Sequence, residues 1–158
     1  MAHNLCWKHF SKNQIEELER SLEPLQCKRL LGQFLGLGKG GDGLDELEEV
    51  VLDFHFYNYA FCKERGFNAL KTSTFLSIAK EIFDKDMASS VQSMELSFLR
   101  FKELLLTHSV QRPPWSIGVF GAGDVRDVVD YSLTSYFRHF GLYKALFGAS
   151  VDLSRPSP

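Results

Sequence analysis

Apolar residues along this chain recur mostly at intervals of three and four, the spacing that lines one face of a helix. Ser11 and Gln14 read as a capping box, with Ile15, Leu18 and Leu22 on one face of the helix that follows. Pro24 suits the first position of a second helix, through Leu25, Leu30, Leu31, Phe34 and Leu35. The glycines at 36, 38, 40, 41 and 43 end it, because each costs a helix about 1 kcal/mol relative to alanine. A long helix starts near Gly43 or Asp45. Asp45, Glu46, Glu48 and Glu49 suit the positive end of its dipole. It turns aromatic through Phe54, Phe56, Tyr57, Tyr59 and Phe61, with Gly66 as the stop. Apolar residues on nearly every side predict burial between several neighbours.

Thr72 or Ser73 reads as the cap of a fourth helix, with Phe75, Leu76, Ile78, Ala79, Ile82 and Phe83 facing inward. Ser89 with Gln92 forms a second capping-box pattern, opening a helix that carries Val91, Met94, Leu96, Phe98, Leu99, Phe101, Leu104 and Leu105. Pro113 and Pro114 predict an extended, non-helical spacer, since proline restricts itself and its predecessor. Residues 116–120 are the one candidate strand, and a short one. Gly123-Asp124 opens the last long helix, with Val125, Val128, Val129, Leu133, Tyr136, Phe137 and Phe140 as its stripe. Gly141 should break it, leaving a short piece over 142–147. The pattern predicts an all-α fold: one domain over 1–149, about six helices, a glycine-rich linker at 36–43 inside it, and a mobile tail over 150–158.

Composition narrows the function classes. A length of 158 residues fits one domain with a real core. The net charge of −2 argues against nucleic acid, which calls for a basic surplus. Three widely spaced cysteines (Cys6, Cys27 and Cys62) do not read as a disulfide framework and point to a reducing compartment. The N-terminus lacks the apolar core of a signal peptide, and no stretch approaches the ~20 apolar residues of a membrane span. The expectation is a soluble intracellular protein with no membrane partner. Fourteen phenylalanines are a heavy load for one core, so part of that surface is expected to meet a partner.

The candidate chemistry is thin. Residues 36–41 match G-x-G-x-x-G, but a helix rather than a strand precedes them, so the dinucleotide-binding context is missing. Asp84 to Glu95 can be aligned with a twelve-residue calcium loop, with carboxylates at positions one, three and twelve. Ala88 at position five supplies no ligand, and Ser89 stands where the turn wants glycine. A calcium sensor built on this degenerate loop is the alternative reading. His3, Cys6 and His9 are one ligand short of a structural zinc site. No nucleophile has a visible base, so no enzyme, metal or cofactor is expected.

One stretch carries a family likeness. His108-Ser109-Val110-Gln111-Arg112-Pro113-Pro114-Trp115-Ser116-Ile117-Gly118-Val119-Phe120 is followed by Ser135-Tyr136-Phe137-Arg138-His139-Phe140-Gly141-Leu142-Tyr143-Lys144-Ala145-Leu146-Phe147. This resembles the small-subunit family of the 1a projection on the ciliary central-pair microtubules, whose members share HSVxRPP-S-I-x-F and then TYFRHxxLYKYxF. Ser135 replaces the first threonine, and Ala145-Leu146 replaces the usual pair before the last phenylalanine. At 18.0 kDa the chain is similar to the smallest, algal-type members. The resemblance implies a non-catalytic structural role in the axoneme of motile cilia and flagella. It implies a hetero-oligomer with a large scaffold protein, sister small subunits and calmodulin, and calcium-linked control of beating. Arg112, Pro113, Pro114, Trp115, Tyr136, Phe137, Arg138, His139 and Tyr143 are then expected either to lock the domain or to contact a partner.

Overall fold

A computed structural model describes residues 4–89, 93–113 and 116–154, with side chains through residue 148. The described residues are all-helical: α1 Lys12–Arg20, α2 Pro24–Phe34, α3 Glu46–Glu64, α4 Ala69–Ala88, α5 Met94–Thr107, α6 Ala122–Thr134 and α7 Phe140–Ser154. The candidate strand reduces to one bridge between Arg112 and Ser116. Two compact units make up the chain, Leu5–Lys80 and, apart from the N-terminal residues, Glu81 onward.

Local chemistry sets the ends of the helices in the first unit. Ser11 and Gln14 form the expected reciprocal box at the start of α1. Asp45 rather than Gly43 caps α3, accepting from the Glu48 amide while Glu48 reaches back to the Asp45 amide. α3 stops in a Schellman turn: Phe67 N–H donates to Cys62 O, Gly66 N–H donates to Lys63 O, and Gly66 takes φ +70°. α2 ends the same way at Gly36. α4 starts earlier than expected, because the Asn68 side chain accepts from the Lys71 amide at 2.8 Å. Thr72 and Ser73 therefore lie inside the helix. The Ser73 hydroxyl instead donates to Phe10 O and accepts from the Trp7 amide, tying the N-terminal segment to α4.

Phe10, Ile15, Leu18, Cys27, Leu31, Leu52, Tyr59 and Leu76 form the core of this unit. Leu22, expected on the same face as Ile15 and Leu18, is 89% exposed, and Leu25 in the first turn of α2 is 75% exposed. The α1 face ends at Leu18, because Ser21 already leaves the helix. An open hollow of about 410 Å³ lies over Gly32, edged by Leu25, Lys28, Arg29, Leu44 and Leu52. His55 is wholly buried, with the Phe54 and Phe10 rings at 5.0 and 6.3 Å. Burial first, then the positive charges of Lys80 and His9, push its pKa down to about 3.

In the second unit α5 packs on α6. α5 is capped by Ser93, which accepts from the Leu96 amide, rather than by Ser89. Gln92, the other half of the expected box, lies outside the described residues. The non-helical spacer falls between α5 and α6 and is tied across its base. Arg112 and Ser116 exchange both backbone hydrogen bonds, at 3.0 and 2.9 Å. Gly118 N–H donates to Gln111 Oε1, in a contact so close that a Cβ on Gly118 would sit 3.2 Å from the Gln111 nitrogen.

The last long helix is two helices, and the break comes at Ser135 rather than Gly141. The Thr134 and Ser135 hydroxyls both donate to Tyr131 O, and Thr134 also to Asp130 O. Clustered hydroxyls that compete for main-chain carbonyls loosen a helix end. Gly141 is then the second residue of α7, which runs on to Ser154.

Two outcomes follow from this packing. His55 stays neutral in the fold to about pH 3 but takes a proton near 6.5 when unfolded, so its contribution is lost as pH falls between those values. The unfolding free energy from denaturant titrations should fall by up to about 1.4 kcal/mol per pH unit below pH 6, and His55→Phe should flatten that slope. A Cβ at Gly32 would meet nothing within 4 Å. Gly32→Ala should therefore raise stability by up to about 1 kcal/mol in the same assay, from helix propensity alone.

Candidate functional site

Asp86 sits in the last turn of α4, where the helix dipole is unfavourable to a carboxylate, and only 1% of it is exposed. A buried carboxylate persists only if donors are brought to it. Two converge on one oxygen. Ser97 Oγ donates to Oδ2 at 2.5 Å and Tyr136 Oη donates to it at 2.6 Å. Ser97 is on the inner face of α5, and Tyr136 lies in the turn that the Thr134 and Ser135 hydroxyls create. A third group completes the arrangement from α7. Lys144 Nζ donates to the backbone oxygen of Asp86 at 2.6 Å and to that of Ser89. An ammonium on the terminal carbonyls of a helix caps them and offsets the negative end of the dipole.

Burial pushes the Asp86 pKa up; the hydrogen bonds from Ser97 and Tyr136, then the charges of Lys144 and Arg100, pull it back. Burial and the adjacent carboxylate both raise the Tyr136 phenol well above its ordinary value, so it acts purely as a donor. Aromatic rings enclose the cluster. Tyr136 lies 5.1 Å from Phe137, 5.4 Å from Tyr143 and 5.9 Å from Phe140. Phe83 reaches Tyr136, Tyr143 and Phe147 at 5.5 to 6.1 Å. Phe98 and Phe101 of α5 close on Phe137. Five of these pairs are edge-to-face, a geometry that adds about 0.5–1.5 kcal/mol per pair beyond burial.

The residues singled out from the sequence separate into two sets. Tyr136 and Phe137 are buried and Tyr143 is half-buried, all in the aromatic enclosure. Arg112, Pro113, Arg138 and His139 are exposed. Pro114 and Trp115 lie outside the described residues. Ser97 was not visible as a site residue, because its partner is eleven positions away and serine is common inside helices. A buried acid at a helix C-terminus was the available signal.

The other candidate chemistry gains no geometry. Asp86, the third position of the calcium alignment, is spent on Ser97 and Tyr136, and Lys144 occupies the nearby carbonyls of 86 and 89. Ser90, Val91 and Gln92 of that loop lie outside the described residues, and the described residues contain no cluster of three metal-ligating side chains. The glycine segment follows α2, and its Gly38 amide already donates to Glu48 at 2.8 Å. None of the three cysteines is in a disulfide. Burial raises the pKa of Cys27 and Cys62, which keeps them protonated. His3 lies outside the described residues. No helix among the described residues is long and apolar enough to cross a membrane.

Residues 57–154 match the family model CLAMP, described as flagellar C1a complex subunit C1a-32. The matched stretch contains every member of the cluster: Asp86, Ser97, Tyr136 and Lys144.

Removing one donor should expose how the carboxylate is held. Tyr136→Phe keeps the ring and deletes the hydroxyl, so it should cost about 1.5–3 kcal/mol at neutral pH in chemical denaturation. In an Asp86→Asn background the same change should cost clearly less. Because the folded-state pKa of Asp86 is raised, its contribution is present below the unfolded carboxyl value and lost as pH rises through the folded one. The stability difference between Asp86→Asn and the parent should therefore shift toward asparagine as pH rises above about 4.

Proposed function

We propose, from the premise that this chain belongs to the CLAMP family of flagellar C1a complex subunits, that it is a non-catalytic structural piece of the projection. As a C1a complex subunit it is a protein of the flagellar axoneme and part of a hetero-oligomer. Its work is to hold a fixed helical shape against a large scaffold protein and sister small subunits. Calcium-linked control of beating reaches it through the complex, with calmodulin as a fellow member, rather than through a calcium site of its own.

The observation that carries this reading is the division of the Tyr136–His139 segment. Tyr136 and Phe137 point inward and are consumed by the Asp86 cluster, while Arg138 and His139 stand exposed on the same short turn. A rigid internal anchor presenting two adjacent polar side chains is the arrangement of a fixed contact point. Arg138 offers a planar fork of donors suited to a carboxylate or to main-chain carbonyls. Arg112, exposed beside the tied base of the proline segment, offers a second guanidinium. The buried polar groups support a structural role too. Asp86 is engaged in holding helices together, and His55 is enclosed among aromatic rings.

Replacing Arg138 and His139 together with alanine should leave the unfolding transition within about 0.5 kcal/mol of the parent, because both are surface positions. It should reduce co-purification with the projection scaffold at least tenfold. A double variant that folds and assembles normally would remove the contact role from this turn.

A further inference from the structure

α5 has two faces, and only one of them is used. Ser97, Phe101 and Leu105 are buried on the inner side. Leu96, Leu99 and Leu106 are 57%, 50% and 54% exposed, and Glu103 between them is also exposed. At 3.6 residues per turn, positions 96, 99, 103 and 106 fall within an arc of roughly 80°, directly opposite the buried stripe. Their intervals of three, four and three are those of a coiled-coil seam. A single exposed leucine needs no explanation, but three aligned along one helix make a patch that soluble proteins normally cover.

We infer that this outer face of α5 is a docking seam for one helix of another subunit, with apolar residues at heptad spacing and a lysine or arginine opposite Glu103. The inference rests on the reading of the chain as a subunit of a complex and names the surface and the chemistry of the contact. Glu103 decides the occupant. Two copies packed in parallel would set Glu103 against Glu103 at the centre of the seam. Two copies packed antiparallel would set each Glu103 against Leu99 of the other copy, placing a carboxylate over an apolar side chain. A partner with a cation at that level satisfies the carboxylate and fixes register and direction at once. Three turns of seam are short for an isolated pair, so the contact works alongside others in the assembly, where a second attachment raises the effective concentration.

The test uses tagged full-length chain added back to axonemes that lack this subunit. Leu99→Lys with Leu106→Lys should keep the parent melting transition and lower incorporation at least tenfold. Glu103→Lys, a single change at an exposed position, should also lower incorporation. Leu99→Met with Leu106→Met should incorporate like the parent. A photo-crosslinking residue at position 99 should capture a helical segment of a different subunit, with lysine or arginine within one turn of the crosslink. Normal incorporation of the double-lysine and Glu103→Lys variants would overturn the seam while leaving the subunit reading intact, as would a crosslink to a second copy or to a segment without a cation. Failure of the parent chain itself to incorporate would overturn the subunit reading, and the seam with it.

Discussion

A buried carboxylate that accepts two hydroxyl donors on one oxygen is the constraint around which the second half of this protein is arranged. Asp86 needs those donors because it has almost no water. Ser97 fixes how α5 lies against the end of α4, and Tyr136 fixes where the chain turns between α6 and α7. Lys144 then caps the carbonyls that α4 leaves open. Four segments far apart in sequence are thus held by one small polar network. Partly satisfied, such a network would cost more than an apolar core; fully satisfied, it specifies a single arrangement. The aromatic rings around it exclude water, which strengthens each of these hydrogen bonds.

This organisation fixes the surface residues that lie beside the network. Arg138 and His139 owe their position to Tyr136 and Phe137 beside them, which cannot move without breaking the network. The outer leucines of α5 owe theirs to Ser97 and Phe101, one helix face away. Residues that anchor the fold and residues exposed at its surface thus lie next to each other in the chain.

Much of this was legible in the sequence, and the exceptions have physical causes. α1 and α3 could be placed closely because their starts are written in local chemistry, Ser11 with Gln14 and Asp45 with Glu48. The break between α6 and α7 was misplaced to Gly141. A glycine is a visible breaker, whereas the competition of Thr134 and Ser135 hydroxyls for Tyr131 O depends on side-chain rotamers. The leucine spacing of α5 does not say which face is covered, because a buried stripe and a heptad seam have nearly the same spacing, and only the fold decides. In the sequence Tyr136, Phe137 and Tyr143 are aromatics beside a proline break, and nothing there pairs Tyr136 with Asp86. The contact with Asp86 spans fifty residues, and no periodicity reports a pairing of that range.

The Asp86 network ties its four segments into one cooperative unit. Amide hydrogen exchange on Lys144→Met tests it most directly, since this change deletes the ammonium and keeps most of the aliphatic stem. Exchange should accelerate by a common factor in the last turn of α4, the first turn of α5, the turn around Tyr136 and the first turn of α7. Acceleration confined to the amides next to residue 144, with the other three segments unchanged, would contradict it.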